Sequence, residues 1–148
     1  METKKSIQVS LVILMIMMII ALMYALTGFI KPDLLVARSL QQYTGQSYAN
    51  YSAQSPELAN YMLILERMAA GLGVVVALGA LIVLFTAFRQ GLKWAWFYIL
   101  ICGILGWGNT LFGNVTMNNP LLIAVNIIGI VLIVIGLIIP AKDFLGKS

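Results

Sequence analysis

Four stretches of the chain are apolar at almost every position: residues 7–30, 61–88, 94–112 and 120–139. A hydrocarbon core of about 30 Å is crossed by about 20 helical residues, so each stretch predicts a membrane-spanning helix. No charged residue falls between Ser6 and Ile30 or between Trp94 and Ala141. The boundaries are marked by residues that start and stop helices. Lys31-Pro32 closes the first stretch. Ser55 is placed as an N-cap, with Pro56 at the first helical position and Glu57 beside the positive end of the helix dipole. Arg89 in a last turn followed by Gly91 closes the second stretch. Asn118-Asn119 makes a turn before Pro120, and Pro140 ends the fourth.

The 31–60 segment is the only sizeable piece outside these stretches. Its first part, 33–44, carries Val36, Leu40 and Tyr43 at the spacing of a short amphipathic helix on the outer surface. Its second part, 46–55, is polar and tyrosine-rich and predicts a loop. A connector resting on lipid headgroups is the plainer expectation for this segment, and a lid over the end of the bundle is the functional one. No internal repeat is visible, which argues against an inverted-repeat transporter within the one chain.

Composition supports the same class. Hydrophobic residues make up 61% and charged residues 9% of the chain, with a mean hydropathy of +0.99. Soluble domains carry roughly 25% charged residues, so a water-facing surface cannot be covered. The expected fold is all-α: a single integral membrane four-helix bundle over 1–148 with a short amphipathic outer segment between the first two spans. Residues 7–30 exceed the roughly 7–15 residues of a signal-peptide core, and Tyr24-Ala25-Leu26-Thr27-Gly28 is a poor cleavage site, so a retained helix is expected.

An even number of spans puts both termini on one side. That side carries Lys4, Lys5, Arg89, Lys93, Lys142 and Lys147, against Lys31 and Arg38 opposite. The positive-inside rule then predicts cytoplasmic termini and a cell-membrane location. Trp94, Trp96 and Tyr98 fall where an inner aromatic belt belongs, and Tyr61 marks the outer one. The two N-x-[ST] sequons, at Asn50 and Asn114, fall in segments expected outside. The net charge of +4 is scattered and does not suggest nucleic-acid binding. The expected partners are the lipid bilayer and either a membrane protein or a second copy of the chain.

One cysteine, Cys102, and no histidine exclude an internal disulfide, CxxC chemistry, the usual metal and haem ligands and the usual neutral-pH base. No catalytic residue, metal or cofactor is expected. Glu66 and Arg67 are the only charges inside the four apolar runs, and charge in hydrocarbon marks a candidate site. Steps of i+4, i+7, i+11 and i+14 from Glu66 give Ala70, Gly73, Ala77 and Ala80, a small-residue stripe that suits close helix packing. Arg67 is rotated about 100° away and reads as an interfacial anchor. Asn109, Asn126 and Tyr24 place further polar groups in the outer half. Interhelical hydrogen bonds that fix the bundle are the plainer account of these groups. A small outward-opening pocket lined by Glu66, Asn109, Asn126 and Tyr24, taking an amphipathic ligand, is the functional one.

The runs Gly28-Phe29-Ile30-Lys31-Pro32 and Arg67-Met68-Ala69-Ala70-Gly71-Leu72, the latter continuing to Ala77-Leu78-Gly79, resemble the small four-helix DoxX-like membrane proteins. The resemblance implies a four-helix bundle and, as in some relatives, a partner subunit in quinone-linked or thiosulfate oxidation. It assigns no role to Glu66 or Arg67. The expectation from residues and resemblance together is an accessory subunit or ligand-binding bundle without catalytic machinery. The alternatives are a transporter or channel component using Glu66, or a DoxX-like subunit of a quinone-linked oxidoreductase.

Overall fold

The computed structural model describes residues 4–146, so Lys147, one of the expected topology markers, lies outside the described residues. The described chain is helical throughout, with no strand. Its elements are α1 (Lys5–Ile30), α2 (Pro32–Thr44), α3 (Tyr48–Gln54), α4 (Pro56–Val83), α5 (Lys93–Thr116), α6 (Pro120–Ile138) and α7 (Ala141–Leu145). A π-helical turn, Leu84–Phe88, continues α4 without a break. Four of these helices are long and apolar enough to cross a membrane: α1, α4 with its π turn, α5 and α6.

The predicted stops act largely as expected. Gly91 takes the left-handed conformation, φ 75°, and its N–H bonds Phe88 O at 2.9 Å. Asn119 caps α6 by accepting from the Leu122 N–H, while Asn118 turns the chain at φ 51°. Ser55 stands at the N-cap of α4, but its hydroxyl makes no capping bond. Proline at the first position, whose missing N–H needs no partner, makes the start there instead.

Two local expectations are corrected. The 46–55 segment is not all loop: the Ser47 side chain accepts from the Asn50 N–H at 3.2 Å and nucleates α3. The third span runs past Phe112 to Thr116, because Asn114 Nδ2 and Thr116 Oγ1 donate back to Thr110 O and Phe112 O, at 2.8 and 2.9 Å. These polar side chains are satisfied within the helix that composition would have ended. Beyond Pro140 the chain adds α7, whose amides at Asp143 and Phe144 bond Pro140 O.

Packing makes an up-down-up-down ring in which α1 lies against α4 and α6, and α5 lies against α6 and α4. All neighbours are antiparallel, and α4 and α6 stand diagonally. The dense core sits at the end that carries both α1's start and α7. Leu14, Leu84, Phe88, Ala95, Ile99 and Ile133 are fully buried there. Gly136 lets α1 come close: a Cβ on it would lie 2.9 Å from Leu14 Cδ2, and the Ser10 hydroxyl donates to Gly136 O. Trp96, expected in the inner aromatic belt, is half-buried. Its Nε1–H donates to Leu137 O at 2.9 Å, and the Tyr98 hydroxyl lies against Gly79, which leaves Trp94 as the exposed member of that group. Gly79 on the facing helix leaves room for the Tyr98 phenol.

The same end is closed by contacts across the chain. Lys4 Nζ donates to Asp143 Oδ1 at 2.8 Å, the Ser6 hydroxyl donates to Asp143 Oδ2, and the Phe88 and Phe144 rings meet at 4.7 Å. The hydrogen bond from Lys4, then that from Ser6, hold the Asp143 carboxyl below its ordinary value. A lowered folded value means that this tether stabilises above the ordinary carboxylate range and is lost as pH falls through and below it. Amide-exchange protection of Phe144 and Leu145 is therefore expected to survive mild acid and to drop only in strong acid, at and below the ordinary carboxylate range. Asp143→Asn should show the low protection already at neutral pH.

At the opposite end α2 packs on α1 and α4 through Pro32, Val36 and Leu40. Tyr43, expected on the same face, is 69% exposed. Gln42, one position before it, turns to the bundle instead, and its Oε1 accepts from Asn119 Nδ2 at 2.9 Å. The segment thus lies on the bundle and is tied to the α5–α6 turn.

Candidate functional site

The site begins with two small-residue faces that meet. On α4, Ala70, Ala77 and Ala80 are buried on the stripe headed by Glu66. On α1, Ala25 and Gly28 answer them, and a Cβ on Gly73 would lie 3.2 Å from Ala25 Cβ. Helices without bulky side chains between them approach closely and gain dispersion contact along the whole seam. The seam ends at Gly28. A Cβ there would stand 2.9 Å from Ala70 Cβ, 2.9 Å from Glu66 Oε1 and 3.0 Å from Leu35 Cδ1.

Glu66 therefore lays its carboxylate into a notch floored by Gly28 and Ala70 and walled by Leu35 of α2. Among the described residues it has no hydrogen-bond or ion-pair partner, and it is half-buried. The Tyr24 phenol, one helical turn below Gly28 on α1, lies within electrostatic reach of both the Glu66 carboxylate and the Arg38 guanidinium of α2. Tyr24 is 50% exposed and Arg38 is exposed. The rise from Ile7 to Gly28 is about 31 Å, one hydrocarbon thickness. The notch is thus a carboxylate with an apolar floor, a phenol and a nearby cation at the level where a spanning helix would meet headgroups. Arg67 is exposed and has no ion pair among the described residues.

The other two candidates belong to a different helix pair. Asn126 of α6 is buried; its Oδ1 accepts from the Thr110 hydroxyl of α5, and its Nδ2 donates to Leu122 O at 2.6 Å. Below it the Trp107 ring lies on Gly129. This amide is used in joining α5 to α6. Asn109 is exposed on α5. The structure brings Glu66 and Tyr24 together and sets Asn126 and Asn109 on the α5–α6 side, with no hydrogen bond between the two groups among the described residues. An interhelical amide bond is worth about 1 kcal/mol in such settings. Asn126→Leu is expected to lose about that much in denaturant unfolding in mild detergent.

Three contributors to the notch were not singled out as site residues from the sequence: Gly28, Leu35 and Arg38. A signal for Gly28 was present, since Ala21, Ala25 and Gly28 form a small-residue face at i, i+4 and i+7 that mirrors the face on α4. Nothing in the spacing of α2 announces that Leu35 and Arg38 reach the Glu66 level. Among the described residues no group of three or more His, Cys, Asp or Glu side chains could hold a metal. No protein family, curated protein or solved structure matches the chain.

Proposed function

We propose that the protein is a multi-pass membrane protein of the cell membrane, with both ends of the described chain in the cytoplasm, and that it works as a ligand-binding or accessory bundle rather than as a catalyst. The observation that carries this reading is the Glu66 carboxylate, half-buried against Gly28 and unpaired among the described residues. A carboxylate in this setting favours a partner group that brings a cation or a hydrogen-bond donor on an apolar body. That description fits a small amphipathic molecule, or a donor group on a helix of a companion subunit. Ala70, Leu35 and the exposed Phe29 and Ile30 supply the apolar surroundings. The orientation follows from the excess of lysine and arginine at the end where α1 begins.

The test is purification of the full chain in a mild detergent, followed by mass spectrometry of every species that stays bound. The reading expects one amphipathic species or one companion protein at fixed stoichiometry. A chain that purifies alone, from several detergents, would contradict it. The same preparation bears on two other readings. A co-purifying quinone or redox protein would favour the DoxX-like subunit. Proton- or ion-coupled flux in vesicles that Glu66→Gln abolishes would favour a transporter, a reading to which the unpaired carboxylate also lends itself.

A further inference from the structure

At the end away from the notch an open groove of about 240 Å³ runs along α1, lined by Ile7, Gln8, Leu11, Val12 and Arg89. Its apolar part follows one face of the first turns of α1 and extends about 7 Å along the helix from Ile7 to Val12. Arg89 stands at its rim and belongs to the turn that closes α4. Two local features put it there. The π-helical turn Leu84–Phe88 amounts to one inserted residue, which rotates the residues after it by about 100° relative to a straight α-helix. Gly91, at φ 75°, then folds the chain back so that Ile7 Cδ1 lies 3.6 Å from where its Cβ would be. The guanidinium is held beside the mouth of the groove on the α1 side, is exposed, and has no ion pair among the described residues.

We propose that this groove is a binding site for one anionic phospholipid, with the phosphate on Arg89 and part of an acyl chain along Ile7, Leu11 and Val12. The charge at this end is complementary: Lys4, Lys5, Arg89, Lys93 and Lys142 belong to it, and Asp143, paired with Lys4, is the one acid there among the described residues. The guanidinium forks onto phosphate oxygens. The depth order is also correct, because the cation is at the helix end and the apolar floor leads toward the middle of the span. A free phosphate would use the arginine and leave the floor empty, so the two-part site selects the lipid. The inference rests on the chain spanning a membrane and is independent of the Glu66 notch.

The test uses the full chain in vesicles of phosphatidylcholine with a minor fraction of phosphatidylglycerol, extracted gently and weighed intact with its retained lipid. Flotation with the vesicles comes first: a chain that does not float overturns the membrane reading itself. For a chain that floats, retained phosphatidylglycerol is expected to be enriched over its vesicle fraction. Arg89→Gln should lower the enrichment about fivefold, the factor for one basic side chain near an anionic surface. Val12→Trp, which fills the exposed apolar end of the groove and leaves Arg89 in place, should lower it as well. Lys31→Gln, at the other end of the bundle, should leave it unchanged. Inorganic phosphate at millimolar concentration should not displace the lipid. Equal retention of phosphatidylcholine, full retention in Arg89→Gln, or displacement by phosphate overturns the proposal. Helix content and the unfolding midpoint of each variant are read alongside, and the Val12→Trp result stands if Arg89→Gln fails to fold.

Discussion

Gly129→Ala is expected to destabilise the bundle by about 2–3 kcal/mol, the range for overpacking a closely fitted interior. Trp107 rests on this glycine, and an added Cβ would overlap its six-membered ring, whose Cη2 lies 2.8 Å from the added carbon. The indole is too large and rigid to absorb such a clash by a small torsion. Either α5 separates from α6 or the ring leaves the interface, and both routes strain the Thr110–Asn126 hydrogen bond one turn away. Denaturant unfolding in mild detergent reads the loss. Pairing it with Trp107→Leu should restore most of the stability, since the smaller side chain vacates the space. A Gly129→Ala protein as stable as the parent would mean that the ring does not rest on Gly129.

The second large effect is expected from Gly28→Val, at the end of the α1–α4 seam. Its branched side chain would meet Ala70 Cβ, Glu66 Oε1 and Leu35 Cδ1 at once, beginning with contacts of 2.9–3.0 Å from Cβ alone. The carboxylate can swing aside, but Ala70 can move only with its helix. A loss of about 2 kcal/mol is expected, together with loss of whatever the notch holds. Gly71→Ala is a useful control. It faces the edge of the Phe29 ring at 3.4 Å, an ordinary contact, and should cost well under that amount.

The contrast between these glycines shows what the sequence could reveal. The four helices long and apolar enough to cross a membrane were legible because hydrocarbon imposes a length and excludes charge, and both properties survive in a one-dimensional reading. The stripe from Ala70 to Ala80 was legible for the same kind of reason: helical phase alone puts those residues on one face. Which helix that face meets was not legible. Gly28 and Glu66 are far apart in sequence and meet only because α1 and α4 run antiparallel in close contact. Asn126 could be recognised as an amide needing a partner, but its choice of Thr110, rather than a group near Glu66, follows from α5 and α6 being neighbours. α3 was hidden because seven polar and small residues carry no apolar period, and the Ser47 cap that starts it is a three-dimensional event. The π turn was hidden as well, since no residue in Leu84–Phe88 distinguishes it from an α-helical turn.

On the proposed reading, the Glu66 carboxylate holds a ligand or a companion helix and is not needed to hold the bundle. Glu66→Gln tests it most directly, because the amide keeps the shape and removes the charge. An unfolding midpoint close to that of the parent is expected, with a change within about 0.5 kcal/mol. The species retained by the parent after mild extraction should be lost from the variant when both are weighed by mass spectrometry. Retention of that species at the parent's level, or a variant that no longer folds, would contradict it.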